Sequence, residues 1–429
     1  MKELWLFTTR FPHGLRESFL ENELPVLCER FQRVIIFPEH PEGELRSIPA
    51  NAEVRQPVRD PFAGAGIGCM VRHGGLVFRL IASLLKDAPS WRVLRAQWPY
   101  LRARIAQFVH RADVLKREVM PDYDPERVVV YAYWTHDWAT VLGAVREAFP
   151  RLRFFSRAHG FDMYEQQSMN AWIPFRSFQL KYVERVHCAS RAGMEHLQRR
   201  HPRLAEHFTL ARLGTTDHGI GPFDPTGPLK VVSCSFLIPR KRVLLLVEAL
   251  SLVRVPVKWV HFGGGVEEEM VRAAAAELPA HVQVEFKGLM QNAEIMAWYR
   301  SHPVDVFVHL ARLEGGVAVA AQEAASFGIP VIAADSGGVR DLMDGRTGVL
   351  LAQDPTAAEV AALLDGFRSG PMSTAAYRVG VRGAWQEGFE ARRVFHGFVD
   401  RILFDAAAQS PIEGAALSVK KAGSTGEAN

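Results

Sequence analysis

The sequence predicts an α/β protein made of two doubly wound parallel-sheet domains in tandem. Three observations carry this. The chain of 429 residues is longer than a single hydrophobic core usually serves. Short β-branched or aromatic runs alternate with helical patterns along both halves. Between residues 213 and 230, LGTTDHGIGPFDPTGPLK concentrates Gly, Pro, Thr and Asp, the composition of an ordered linker between two such alternations.

In order along the chain, ELWLFTT, RVIIFP, VVVYAY, RFFSRAH, RVHCAS and FTLARLG read as strands of a first domain, residues 1–213. A linker over 214–229 follows. KVVSCS, VKWVHFG, VQVEFKG, DVFVHL, PVIAAD and GVLLA then read as strands of a second domain, residues 230–407, closed by terminal helices. Strands alternating with helices imply parallel sheets covered on both faces. Residues 408–429 are small and polar with no amphipathic period, so a disordered tail is expected.

Composition narrows the function. Lys and Arg outnumber Asp and Glu by 51 to 47, and a net charge of +4 is too small for a nucleic-acid-coating protein. Cys28, Cys69, Cys188 and Cys234 lack any Cys-x-x-Cys spacing, which points away from a disulfide framework or a zinc site and fits a reducing cytosol. The start, MKELWLFTTRFPHG, reads as a first strand rather than a secretory leader, and GGLVFRLIASLLK is too short and too charged to span a bilayer. A cytoplasmic location is expected.

Open α/β sheets bind ligands beyond the carboxyl ends of their strands, so loops after strands are where chemistry is sought. Four stand out. TTRFPHGLRESF puts Gly14 between a strand and a helix opening near Glu17, where backbone could approach a substrate closely. In SRAHGFDMY, His159 ends a strand and Gly160 turns the chain, so this histidine faces the crevice. In FLIPRKRVLLL, Arg240, Lys241 and Arg242 open an apolar helix, where cations oppose the dipole unless an anion binds. In HLARLEGGVAVAAQEAASFGIPVIAADSGGVRDL, Glu314 follows a strand, Glu323 sits in the next helix, and Gly337 and Gly338 precede another helix. Two carboxylates and a glycine-lined helix start suit sugar hydroxyls, a ribose and a diphosphate. Two weaker signals are HFGGGVEEE, read as a turn, and Asp122-Tyr-Asp124, which precedes its strand and is read as a loop rather than a metal site.

From about 230 to 352 these motifs resemble the retaining GT-B glycosyltransferases often called family 4, in a branch that builds bacterial polysaccharides and glycolipids. EGGVAVAAQEAASFGIPVIAADSGG resembles the family's two-glutamate motif and KVVSCSFLIPRKRV its diphosphate loop; RFFSRAHGFDMY and FPHGLRESFLENEL resemble its N-terminal segments. The resemblance implies two Rossmann-like domains facing a central cleft. It implies transfer of a sugar from a UDP- or GDP-linked nucleotide sugar, the co-substrate, to a glycan or lipid-linked saccharide, with retention and with neither metal nor other cofactor. By position, Glu314 would touch donor sugar hydroxyls, Glu323 the ribose and Lys241 the diphosphate, while His159 would line the acceptor side.

Three departures stand out. Eight residues rather than seven separate Glu314 from Glu323, which Gly315 and Gly316 can absorb in the loop. The family arginine of the diphosphate loop falls on Phe236, leaving Arg240 or Arg242 to replace its charge, and a frequent serine falls on Ala311. Two other readings share the architecture: a sugar-nucleotide epimerase and an inactive partner subunit. Finally, Arg79, Lys86, Arg92, Arg95, Arg102, Arg104, Arg111 and Lys116 are interleaved with Leu, Ile, Trp and Phe, a pattern that can rest on an anionic membrane surface, placing the protein at the inner face of the plasma membrane.

Overall fold

The computed structural model describes residues 2–14, 17–58, 67–168 and 171–407. The expected tail, 408–429, lies outside the described residues. In chain order the first half contains β1 (Glu3–Thr8), α1 (Leu20–Arg30), β2 (Arg33–Pro38), β3 (Ala52–Val54), α2 (Ile67–Arg72), α3 (Gly74–Asp87), α4 (Trp91–Glu118) and β4 (Val128–Ala132). It continues with α5 (Asp137–Arg146), β5 (Phe154–Ala158), α6 (Arg176–Tyr182), β6 (Arg185–Cys188), α7 (Arg191–Arg200) and β7 (Phe208–Leu210). The second half contains β8 (Leu229–Cys234), α8 (Val243–Leu252), β9 (Val257–Phe262), α9 (Glu268–Ala276), β10 (Val282–Gly288), α10 (Asn292–Ser301), β11 (Val306–His309) and α11 (Val319–Ser326). It closes with β12 (Val331–Ala334), β13 (Gly348–Leu351), α12 (Ala357–Asp365), α13 (Ala375–Phe389) and α14 (Ala391–Ala407).

Two parallel sheets result, ordered β3-β2-β1-β4-β5-β6-β7 and β10-β9-β8-β11-β12-β13. Central strands such as VVVYA are buried throughout, as both-face coverage by helices requires. Along β1 the period of two sends Trp5 and Phe7 to a layer filled by α3 to α6, and Leu4 and Leu6 to a layer filled by α1 and α14. The second sheet is covered likewise, by α10, α11 and α13 on one face and by α8, α9 and α12 on the other.

One assignment from the sequence is corrected. Residues 391–407 were expected to belong to the second domain, yet Phe398, Val399 and Ile402 of α14 pack against the first sheet. Arg30 ion-pairs with Asp400, and Arg392 with Glu29, fastening α14 to α1. The apolar stripe of α14 repeats at helical spacing and finds its partner across the chain rather than next to it. The polypeptide therefore crosses between domains twice. The two crossings touch: Thr215 N donates to Phe389 O (2.9 Å), Ala391 N donates to Thr215 O (3.0 Å), and a Cβ on Gly214 would lie 2.7 Å from Ala391 Cα.

Candidate functional site

In each sheet the strand order reverses once, between β1 and β4 and between β8 and β11. The crevice at such a reversal is where doubly wound sheets take ligands. The described loop residues there are 9–14, 17–19 and 133–136 in the first domain and 235–242 and 310–318 in the second. These carboxyl edges face one another: Ser190 Oγ donates to Gly315 O (2.8 Å), and a Cβ on Gly315 would overlap His159 O at 1.8 Å. Only glycine permits that approach. His159 and Glu314 thus come to opposite sides of one cleft.

Glu314 is held at Oε1 by Lys241 Nζ and by His309 Nε2 (2.9 Å). Burial by itself pushes its carboxyl up, but the Lys241 ammonium and the His309 imidazole outweigh burial and hold it well below the usual carboxylate range. The cation cluster expected to need an external anion has internal ones. Lys241 meets Glu314, and Arg242 reaches Asp354 (2.8 Å), Leu310 O and Gln353 O. Arg242, in the left-handed region at φ 51°, therefore ties the ends of β11 and β13 together. Arg240 is exposed and forms no ion pair among the described residues, and Phe236 is 59% exposed beside it. Of the two arginines weighed for the missing charge, only Arg240 is unengaged.

Glu323 lies in α11, past a loop that contains Gly315 and Gly316. It is 7% exposed and accepts from Asn292 Nδ2 (2.7 Å). Burial, offset only in part by Asn292, pushes its carboxyl up to about 7. The Glu21 charge in the first turn of α1 adds to that rise. The thiol of Cys234, at the end of β8, is pushed up to about 12 by burial, with the Glu323 charge adding to the rise and Lys241 opposing it.

Gly337 and Gly338 differ from expectation. They open a five-residue 3-10 turn, Gly337–Asp341, and not an α-helix, and Gly337 itself lies in the left-handed region at φ 53°. Their lack of side chains serves packing: a Cβ on Gly337 would strike Glu314 O at 1.8 Å, and one on Gly338 would strike Ser190 Cβ at 2.5 Å. The pair thus seats the Glu314 loop against the first domain.

On the first-domain side, His159 stands among the rings of Trp134, Tyr133 and Phe19, at 4.4, 4.7 and 5.8 Å between centroids. Burial and the neighbouring Arg157 charge keep it neutral, well below the ordinary histidine pKa. Neither ring nitrogen has a hydrogen-bond partner. Asp162 fixes the loop by accepting from His159 N (2.8 Å) and Gly160 N (3.0 Å). Gly14, with φ 63°, packs against residues 42–46, donating from N to Glu44 O (3.0 Å). The groups converging in that loop are instead the amides of Thr9, Arg10 and Phe11 with Trp134 Nε1, all donating to the Glu17 carboxylate.

Sequence reasoning missed Glu17, His309, Asn292 and Asp162. His309 had a usable signal, since it ends a strand as His159 does. Asn292 had none, because its partner Glu323 is distant in sequence; Glu17 meets three amides only six to eight residues before it, but no local motif marks that turn. Asp122, by contrast, pairs with Arg55 (2.9 Å) and helps line a hollow with Glu3, Arg33 and Val128 at the amino edge, away from the cleft. HFGGGVEEE forms the turn between β9 and α9.

Residues 222–377 match the family profile described as "Glycosyl transferases group 1". A GDP-mannose-dependent alpha-mannosyltransferase of Mycolicibacterium smegmatis is 39% identical over 119 residues, 28% of this chain and 29% of that protein. The match thus spans less than a third of the curated relative. Among solved structures, the lipopolysaccharide outer core galactosyltransferase WaaB superposes with a TM-score of 0.66 at 15% identity, covering 94% of this chain and 99% of that one. HepE of Anabaena, in complex with UDP and glucose, gives 0.66 at 17%, with the same coverage. Two facing Rossmann-like domains, the GT-B arrangement, are the fold of this chain.

Proposed function

We propose that the protein is a retaining, metal-independent glycosyltransferase of the family 4 type, moving a sugar from a UDP- or GDP-linked donor to a glycan or lipid-linked saccharide. The observation that carries this reading is the Lys241–Glu314–His309 cluster at the strand-order reversal of the second sheet, inside the segment that matches group 1 glycosyl transferases. Both contacts to Glu314 fall on Oε1, which leaves Oε2 to accept from donor sugar hydroxyls. An ammonium carries three donors, so Lys241 can hold Glu314 and still meet a phosphate.

Donor cleavage develops positive charge at the anomeric carbon and negative charge on the leaving diphosphate. Lys241 is preorganised for the second of these by its bond to Glu314, and exposed Arg240 adds a cation at the same loop. One such preorganised donor is typically worth about 10²–10³ in rate. Glu323 would take the ribose, and the neutral His159 in its aromatic surround would line the acceptor side. The epimerase reading has no observation in its favour here beyond shared architecture.

The test is binding without metal. UDP or GDP should raise the melting temperature in EDTA, by the equivalent of about 2.7 kcal/mol at a hundredfold excess over the dissociation constant. Lys241→Ala should shrink that ligand-induced rise, whatever its own melting temperature. A rise that needs magnesium or manganese would refute the metal-free reading, and an unchanged rise in the variant would remove Lys241 from the diphosphate.

A further inference from the structure

The sequence from Val71 to Ala112 carries eight basic residues, Arg72, Arg79, Lys86, Arg92, Arg95, Arg102, Arg104 and Arg111, against a single acid, Asp87. Structure divides them. Arg79 pairs with Glu147, Arg104 with Asp137 and Glu39, and Arg111 with Glu39, whose carboxyl is held down at about 2, against its burial, by His40 and these two arginines. Those three are structural, and Arg111 is only 1% exposed. Arg72, Lys86, Arg92, Arg95 and Arg102 are exposed and form no ion pair among the described residues.

The apolar side chains divide in the same way. Leu76, Leu80, Leu84, Leu94 and Leu101 enter the core. Val71, Phe78 and Leu85, seven residues apart, point outward at 75%, 71% and 58% exposure. On α4, Trp91, Arg95, Trp98 and Arg102 fall at i, i+4, i+7 and i+11, which is one helical face. Trp91 is 69% exposed and Tyr100 51%. Large aromatic side chains this exposed are unusual on a monomer surface unless something covers them.

Position adds a further constraint. Arg104 meets Asp137 at the start of α5 and Glu39 just past the end of β2, both at the carboxyl edge of the first sheet. Asp87, at the end of α3, accepts from Ser177 N (3.0 Å) at the start of α6, the same edge. The first turns of α4, about 20 Å of helix from Trp91 to Arg104, thus run between two points fixed at that edge, with Leu94 and Leu101 turned into the core. His159 ends β5 on this edge too.

We propose that the corner formed by α3 and the first three turns of α4 docks on an anionic lipid surface, with Trp91 and Trp98 entering the headgroup region and Arg92, Arg95 and Arg102 meeting lipid phosphates. The choice of a lipid bilayer over another occupant rests on charge: an unneutralised basic face interleaved with tryptophan is complementary to anionic headgroups and self-repelling against a second copy. No helix among the described residues is long and apolar enough to cross a membrane, so the contact is peripheral. The inference rests on surface chemistry and stands apart from the glycosyl-transfer reading.

The experiment is co-sedimentation of the full chain with vesicles of phosphatidylcholine plus phosphatidylglycerol, and with phosphatidylcholine alone, at low salt. Binding is expected only to the anionic vesicles. The triple variant Arg92→Glu, Arg95→Glu, Arg102→Glu should weaken it by about a hundredfold or more. The double variant Trp91→Ser, Trp98→Ser should weaken it as well, with the melting temperature kept in both because these side chains lie at the surface. Arg104 is left intact because reversing it would break its pairing with Asp137. Absence of binding, equal binding to both lipids, or an unaffected triple variant would overturn the proposal. So would a dimer in sedimentation velocity that the tryptophan variant dissociates, since the corner would then be a self-association surface.

Discussion

Glu323 is a buried carboxyl with one hydrogen-bond donor, and its chemistry follows from that shortage. Its folded pKa of about 7 exceeds the ordinary 4.5, so between those values the native state holds a proton that the unfolded chain has released. Stability from this group is present below pH 4.5 and is lost as pH rises toward 7, by roughly 3 kcal/mol at most. Glu323→Gln, which cannot ionise, should flatten that slope and melt higher than the parent at pH 8. Thermal unfolding from pH 5 to pH 8 checks this, and parallel curves for the two proteins would show that Glu323 is already ionised at pH 5. Glu314, a buried carboxylate at the same cleft, behaves in the opposite way because Lys241 and His309 stabilise its charge. Two glutamates nine positions apart are thus set to different protonation states by their neighbours alone.

At the scale of elements, the fastening of α14 to the first domain turns on the buried pair Glu23–Arg157 (2.5 Å), with both side chains 0% exposed. The Arg157 guanidinium lies 4.1 Å from the Phe398 ring of α14, so α1, β5 and α14 meet at one ion pair. Arg157→Met should cost about 3–5 kcal/mol, because it leaves a carboxylate buried without its cation, while Glu23→Leu combined with Arg157→Met should recover much of that loss. Urea unfolding of both variants decides it; a double variant no better than the single one would mean that the pair itself, and not merely its completeness, sustains the packing. Neither partner stood out in the sequence, since nothing local separates Glu23 from Glu21 in LENEL or marks the Arg in FFSRA as buried. The strands were legible wherever burial on both faces made them apolar, as in VVVYA and PVIAAD. The exception is β3, three residues centred on Glu53 at the sheet edge, too short and too polar to register. The glycine pair at 337 and 338 was legible as a special position, but its purpose was not. Close approach to Glu314 and Ser190 is a fact of tertiary contact, invisible to any local pattern. The basic stretch after Arg72 failed for the same reason: periodicity marks a face without saying which arginines find carboxylates from elsewhere in the fold.

For the whole molecule, the chain passes between the domains at 214–228 and returns at Glu390, and the two passages are hydrogen-bonded to each other at Thr215. Other links near this point include the Arg212–Asp341 pair (3.0 Å) and Val319 of α11, which packs on a small apolar cluster holding Ala189, Leu213 and Phe395. A single joined crossing cannot stretch, so the domains cannot slide apart; they can only turn about it. The displacement accompanying any turn grows with distance from Thr215. Spin labels at Glu42 and Leu289, on the loops after β2 and β10, should therefore change their separation when a nucleotide is added, while labels at Glu195 and Arg340, on elements tied together and to Arg212 through Asp341, should not. Equal changes at both pairs would place the axis elsewhere. Cleft opening in this protein then behaves as leverage: a few degrees at Thr215 become ångströms at the outer rim, and the grip on a ligand there is set by torsional stiffness at one glycine-lined joint.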